Sequence, residues 1–172
     1  MYKRQVSGIF THQLRRSTEA ILVGTNTAIV DNPRLTTRHV NGPSPLRIVL
    51  DRQLRIPPSH QLLCDDQPTW IITTSDSHNI HGVNKTLIKI DEASWNLRFI
   101  LQEIYKRGVN RLIAEGGAQL LRSLIQDELW EDCYLIRTPH QLGSGIKAPV
   151  LTGKEVENYR IIKDKILYIS RL

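Results

Sequence analysis

The chain has 172 residues, 40% of them apolar and 23% charged. That is one domain's worth and excludes a disordered tail, since a domain of this size hides roughly 70% of its unfolded surface. No apolar run reaches the ~18 residues of a membrane helix, no secretory leader is expected from Met1-Tyr-Lys-Arg-Gln5, and the net charge of +6 fits nucleic acid or a phosphorylated metabolite equally well.

In chain order, a rather polar helix is expected from about Ile9 to Thr18, followed by a strand at Ala20–Gly24. Further strands are predicted at Leu46–Leu50, Thr69–Thr74, Thr86–Ile90 and Arg111–Ala114. The first, second and fifth are nearly all apolar, as in central strands covered on both faces. Between the last two lies the clearest helix, Ser94 to about Lys106, with Ser94 as cap and an inward stripe of Leu97, Ile100, Leu101, Ile104 and Tyr105. A second helix runs from about Ala118 to Gln126, with Leu120, Leu121, Leu124 and Ile125 inward. A strand at Asp132–Arg137 follows. Two β-rich runs, Tyr159–Ile162 and Ile166–Ile169, are expected to form an antiparallel hairpin at a sheet edge around Lys163-Asp-Lys165. Strands alternating with helices indicate an α/β layered fold.

Two strand-to-glycine switches stand out. Ala20-Ile-Leu-Val-Gly-Thr-Asn-Thr27 ends a buried strand in small polar residues, leaving backbone N–H groups free where a helix begins. The bland alternative is that Gly24 turns the chain and Thr25 or Thr27 caps a helix. Glu115-Gly-Gly-Ala-Gln-Leu-Leu121 repeats the arrangement with a carboxylate in front, suited to holding a sugar hydroxyl beside a pyrophosphate. Such a pair in one small domain strengthens both readings, because these ligands sit where adjacent strands end. Arg15, Arg34 and Arg38 are candidate phosphate ligands, although a lone arginine is more often solvated surface.

Other patterns carry less. Gly143-Ser-Gly-Ile-Lys-Ala148 has GxGxxA spacing, but Pro149 follows at once and no helix opens there. The pairs His78/His81 and His60/Cys64 recruit no third metal ligand. Cys64 and Cys133 form no CxxC and suit a reducing cytoplasm. There is no GxSxG elbow, no Walker A sequence and no HxE or PCxxC element of a zinc deaminase. Dinucleotide-dependent redox chemistry survives these exclusions, because the cofactor carries the reaction.

The run Ala20-Ile-Leu-Val-Gly-Thr-Asn-Thr-Ala-Ile-Val-Asp-Asn-Pro-Arg-Leu-Thr-Thr-Arg38 closely resembles the signature of the reductase domain of bacterial bifunctional riboflavin-biosynthesis proteins. Pro45-Leu-Arg-Ile-Val-Leu-Asp51, Glu115–Leu121 and Leu142-Gly-Ser-Gly145 follow in the family's order. The resemblance implies a dihydrofolate-reductase-like three-layer α/β fold: a mixed, mostly parallel sheet flanked by helices, with a C-terminal antiparallel hairpin. It also implies a cytoplasmic, usually dimeric enzyme that reduces 5-amino-6-(5-phosphoribosylamino)uracil with NADPH, and needs neither metal, nucleic acid nor membrane. Carried over by position, the implied cofactor contacts are Gly24, Thr27, Asp31, Arg52 and the glycine block Gly116, Gly117, Ala118, Gln119, Leu120, Leu121, Arg122 and Ser123. Arg52 is inferred to meet the adenosine 2′-phosphate. The implied substrate contacts are Arg15, Leu35, Arg38 and Glu115, with the arginines on the phosphate and Glu115 on the sugar.

Two departures from the pattern matter. The zinc deaminase domain that usually precedes this reductase is not expected within these 172 residues. No match is found for the family's first strand, with its lysine and Ser/Trp segment, because only Met1–Gly8 lies ahead of the first helix. The expectation is therefore a single, N-terminally truncated reductase domain over residues 1–172, lacking its first strand and inactive or weakly active by itself. A related pterin or pyrimidine reductase of the same fold is the alternative, against which Asp31–Arg38 speaks. A basic nucleic-acid-binding module is disfavoured, because aromatic residues are only 6% and the positive charges are scattered.

Overall fold

A computed structural model describes residues 3–77, 82–139 and 143–171. A helix, α1 (Lys3–Arg16), leads into a five-stranded parallel sheet of β1 (Ala20–Gly24), β2 (Leu46–Leu50), β3 (Thr69–Thr73), β4 (Lys85–Lys89) and β5 (Leu112–Ala114). Its spatial order is β4-β3-β2-β1-β5. The connections carry α2 (Thr25–Asp31), the single turn α3 (Gln61–Cys64) and α4 (Leu97–Lys106), and α5 (Ala118–Gln126) follows β5. The chain closes with a three-stranded antiparallel sheet of β6 (Asp132–Arg137), β7 (Lys154–Ile161) and β8 (Asp164–Ser170), ordered β6-β8-β7.

Strand alternation makes the layers. Ala20 and Leu22 of β1 face one way and pack with Ile48, Ile72, Ile88 and the inward residues Ile100 and Ile104 of α4 and Leu120 and Leu124 of α5. Ile21 and Val23 face the other way, onto Val49, Ile71, Ala28, Leu35, Leu62 and Leu63. This three-layer α/β arrangement, with a mostly parallel sheet, is the one expected.

Several details differ from the sequence reading, each for a local reason. The C-terminal hairpin does not extend the parallel sheet: β8 pairs with β6 on one side and β7 on the other, forming a second sheet. Its turn is Ile162-Lys163, with Asp164 already paired to Ile161 and Ile162 at φ 58°. β7 starts five residues before the expected run, because its first five residues are solvent-exposed and, Val156 aside, polar, so no alternation marks them as strand. β5 is half-buried rather than covered, since among the described residues it pairs only with β1. Asn96, not Ser94, caps α4, accepting a hydrogen bond from the Phe99 amide at 2.9 Å. Tyr105, assigned to that helix's inner stripe, is 65% exposed. No helix follows 143–148. His78 and His81 lie outside the described residues, as does Leu142.

Candidate active site

All five strands of the parallel sheet run the same way, so their carboxyl ends share one edge. From β1 the chain moves outward through β2, β3 and β4, while β5 lies on β1's other flank. The winding therefore reverses between β1 and β5, and at such a point a crevice opens beyond the strand ends. Leu22 of β1 is level with Ala114 of β5, and the Glu115 amide donates to the Leu22 carbonyl at 3.0 Å. Both glycine bends thus leave the sheet at its switch point.

The bends touch. A Cβ on Gly116 would come within 3.1 Å of Thr27 Cγ2, and one on Gly117 within 2.7 Å of Thr27 Oγ1. The two glycines have φ of +78° and +72°, conformations that strain any other residue. Gly117 is the N-cap of α5 and provides no side chain to its first turn. The amides of Ala118, Gln119 and Leu120 are therefore left without intrahelical acceptors at the positive end of the helix dipole. A glycine cradle against a threonine hydroxyl, with free amides above it, fits the diphosphate of a dinucleotide.

The remaining residues of the glycine block play different parts. The Leu120 side chain belongs to the core, with its Cβ 4.0 Å from a Cβ position on Gly24, so only its amide faces outward chemistry. The Leu121 amide is already committed to the Gly117 carbonyl at 3.2 Å. Arg122 donates to the Lys147 carbonyl at 2.8 Å, and Ser123 lies one turn into the helix.

A second region adjoins this crevice. Arg15, Asp31, Asn32, Pro33, Arg34, Leu35 and Arg38 line a pocket of about 480 Å³. Three of the four expected substrate residues meet here, and the fourth, Glu115, is bound to it through Arg15. The Arg15 guanidinium grips Glu115 with two hydrogen bonds of 2.8 and 2.6 Å and donates a third, of 3.1 Å, to the Thr36 carbonyl. Arg15 is thus engaged in holding Glu115, and Arg34 donates from Nε to Gln61 Oε1 at 3.2 Å, which leaves Arg38 and the outer nitrogens of Arg34 to face an anion; among the described residues no carboxylate pairs with Arg38. Asp31, expected on the cofactor, lines this pocket. The loop is shaped by two left-handed residues, Asn32 (φ 41°) and Leu35 (φ 55°), and the Leu35 side chain is buried in the core.

Arg52 lies just beyond β2 on the same carboxyl edge. Its guanidinium is paired with the Glu92 carboxylate and sits 5.6 Å over the Trp95 ring. The hydrogen bonds from Arg52 and then Thr74 hold Glu92 below the usual carboxylate range.

Some neighbours take parts that the sequence reading did not assign. Thr25 ties the first bend to β2, its hydroxyl donating to the Leu50 carbonyl at 2.5 Å. His12, one helical turn before Arg15, is buried against His39 with ring centroids 4.5 Å apart, and its Nδ1 has no hydrogen-bond partner among the described residues. Burial first, then the nearby Arg15, His39 and Arg38, lower its pKa. The i, i+3 spacing from Arg15 was the available signal. Glu92 and Trp95 gave none, because they come from a connection two strands away. His60 is a packing residue whose Nε2 lies 3.1 Å from the Ile29 carbonyl, and both cysteines are free thiols.

The RibD C-terminal domain family matches residues 5–170. The chain belongs to that family. It is 30% identical over 161 residues to the riboflavin biosynthesis protein RibD of Aquifex aeolicus, covering 90% of this chain and 44% of that protein. It is equally 30% identical over 154 residues to the 2,5-diamino-6-ribosylamino-4(3H)-pyrimidinone 5′-phosphate reductase of Methanothermobacter thermautotrophicus, covering 85% of this chain and 71% of that one. This RibD-family chain therefore spans less than half of the first relative and most of the second. Among solved structures, Acinetobacter baumannii RibD superposes with a TM-score of 0.83 at 19% identity, covering 97% of this chain and 50% of that one. The deaminase/reductase of Thermotoga maritima gives 0.79 at 20% identity, covering 94% and 47%. At that identity the likeness is one of fold. Among the described residues no helix is long and apolar enough to cross a membrane.

Proposed function

We propose that this chain is an NADPH-dependent reductase of riboflavin biosynthesis, converting the ribosylamino group of 5-amino-6-(5-phosphoribosylamino)uracil to ribitylamino, and that it works as a cytoplasmic homodimer. The contact of Thr27 with Gly116 and Gly117 at the sheet's switch point, beside an arginine-lined pocket, is the observation that carries the reading. It offers a diphosphate cradle and a phosphate pocket bridged by one carboxylate.

In this reading, Thr27 and the amides from Gly117 to Leu120 hold the cofactor diphosphate. Arg34 and Arg38 hold the substrate 5′-phosphate, with Leu35 and Asp31 shaping that pocket's wall. Glu115, fixed by Arg15, accepts hydrogen bonds from the opened sugar's hydroxyls. NADPH, when bound, supplies the hydride that reduces the imine-like carbon of the ring-opened ribosylamine. The chain's own contribution is alignment and exclusion of water, worth roughly 7–11 kcal/mol when both partners are well oriented.

The archaeal relative's name favours a second reading of the same chemistry, in which the pyrimidine still carries its 2-amino group. Turnover assays with each pyrimidine, with the product identified by mass, test both. The account predicts a product two hydrogens heavier than its substrate, formed at any rate with at least one of them. A chain that binds NADPH yet gives neither product, both alone and with a segment supplying the family's first strand added, sinks the reading.

A further inference from the structure

We propose that Glu92 sets the cofactor preference of this site, because its carboxylate occupies the guanidinium of Arg52 at the place where the 2′ substituent of the adenosine ribose would be read. The inference rests on the dinucleotide crevice proposed above and adds a residue that the family resemblance does not supply.

The argument starts from position. β2 is the immediate neighbour of β1, whose end forms one side of the crevice, and Thr25 of the first bend bonds to the Leu50 carbonyl at 2.5 Å. Arg52 follows two residues later. Its backbone is fixed: the Arg52 carbonyl accepts hydrogen bonds from the Thr73 and Thr74 hydroxyls at 2.9 and 3.1 Å and from the Thr74 amide at 3.0 Å. The guanidinium is oriented by the Trp95 face, 5.6 Å away, an attraction that survives a change of anionic partner. Glu92 reaches it from a short helical turn beyond β4.

An arginine at this place favours a 2′-phosphate, whereas a carboxylate accepts a hydrogen bond from a 2′-hydroxyl and repels a phosphate. Here the two are paired to each other. Arg52 and Glu92 are 45% and 67% exposed, so water screens the pair and exchange of partner is easy. A 2′-phosphate that takes Arg52 must nevertheless accept the displaced Glu92 carboxylate as a close neighbour of like charge. NADH loses little, since its hydroxyl donates to Glu92. The site as built therefore discriminates between the two dinucleotides less strongly than Arg52 alone would.

The test uses adenosine fragments and needs no turnover. Dissociation constants of 2′,5′-ADP and of ADP are measured by calorimetry for the wild-type chain and for Glu92→Gln, which keeps the shape and a hydrogen-bonding group. The expected result is 2′,5′-ADP binding tightened by about fivefold in the variant, the size of one screened like-charge contact removed. ADP binding stays the same or weakens. An unchanged ratio, or equal tightening of both fragments, overturns the role of Glu92 and leaves the crevice standing. A wild-type chain that binds neither fragment overturns the crevice and this inference together, whatever pyrimidine the protein reduces.

Discussion

Two arginines five positions apart, one on β2 and one just beyond its carboxyl end, meet opposite fates. Arg47, at the amino edge of the parallel sheet, is 1% exposed and donates to both oxygens of Asp65, to the Thr69 hydroxyl and to the carbonyls of Arg34 and Gln67, among others. Arg52, past the carboxyl edge, is half-exposed and held by one exchangeable carboxylate. Lys85 joins the amino-edge cluster, its ammonium donating to the carbonyls of Asp65 and Gln67 at 2.5 and 2.8 Å. One edge of the sheet is a sealed network of charge, and the other is open, with unspent amides and a loosely held cation. Hydrogen-bond saturation, not residue type, separates the structural arginine from the one proposed to meet the cofactor.

The largest effect is expected at the sealed edge. Removing the buried Arg47 strips Asp65 of both its short hydrogen bonds and leaves only the longer Lys85 contact of 3.6 Å as its charge partner, so Arg47→Met should cost about 3 kcal/mol of stability in denaturant melts. Asp65 makes the same network depend on pH. Burial alone would raise its pKa, but hydrogen bonding and attraction from Arg47 outweigh that and lower it overall. A lowered folded pKa means that its contribution is complete above the unfolded carboxylate range and is lost as pH falls through that range and below. Asp65→Asn should therefore lower Tm at neutral pH and flatten the acid limb of the Tm profile. A parallel downward shift at every pH would contradict the assignment.

At the open edge the effects are on binding. Gly117→Ala places a Cβ 2.7 Å from Thr27 Oγ1 on a left-handed backbone. NADPH affinity should fall by about a hundredfold, the scale of a few kcal/mol of strain, and Thr27→Ser should restore none of it, because the clash is with the hydroxyl. Glu115→Gln weakens the hold of Arg15 and the contact with sugar hydroxyls, so turnover should fall by about tenfold while NADPH binding changes less than twofold. Equal losses would move Glu115 to the cofactor or the fold. The smallest effect belongs to Arg52→Ala, which should narrow the preference for NADPH over NADH severalfold. An unchanged ratio removes Arg52 from the 2′ position.

The same contrast explains what could be read from the sequence. β1, β2 and α5 were legible to within a residue because the apolar patterns of β1 and β2 end at Gly24 and Asp51 and that of α5 starts after Gly117, where backbone geometry changes. β7 was half-read, since solvent contact removes the alternation that marks a strand and a bulge between Glu155 and Glu157 interrupts its register. The two glycine bends were visible as motifs, and only the parallel pairing of β1 with β5 brings them together. The Arg15–Glu115 pair spans a hundred positions, and Arg52–Glu92 forty, so neither pairing is written in local spacing.

The most direct test follows backbone amide resonances during NADPH titration of the isotopically labelled chain. The account predicts that the amides of Thr25–Thr27 and of Gly116–Gln119 shift together and fit one dissociation constant, because a single diphosphate lies across both bends. Shifts confined to one bend, or two bends titrating with different constants, would contradict it.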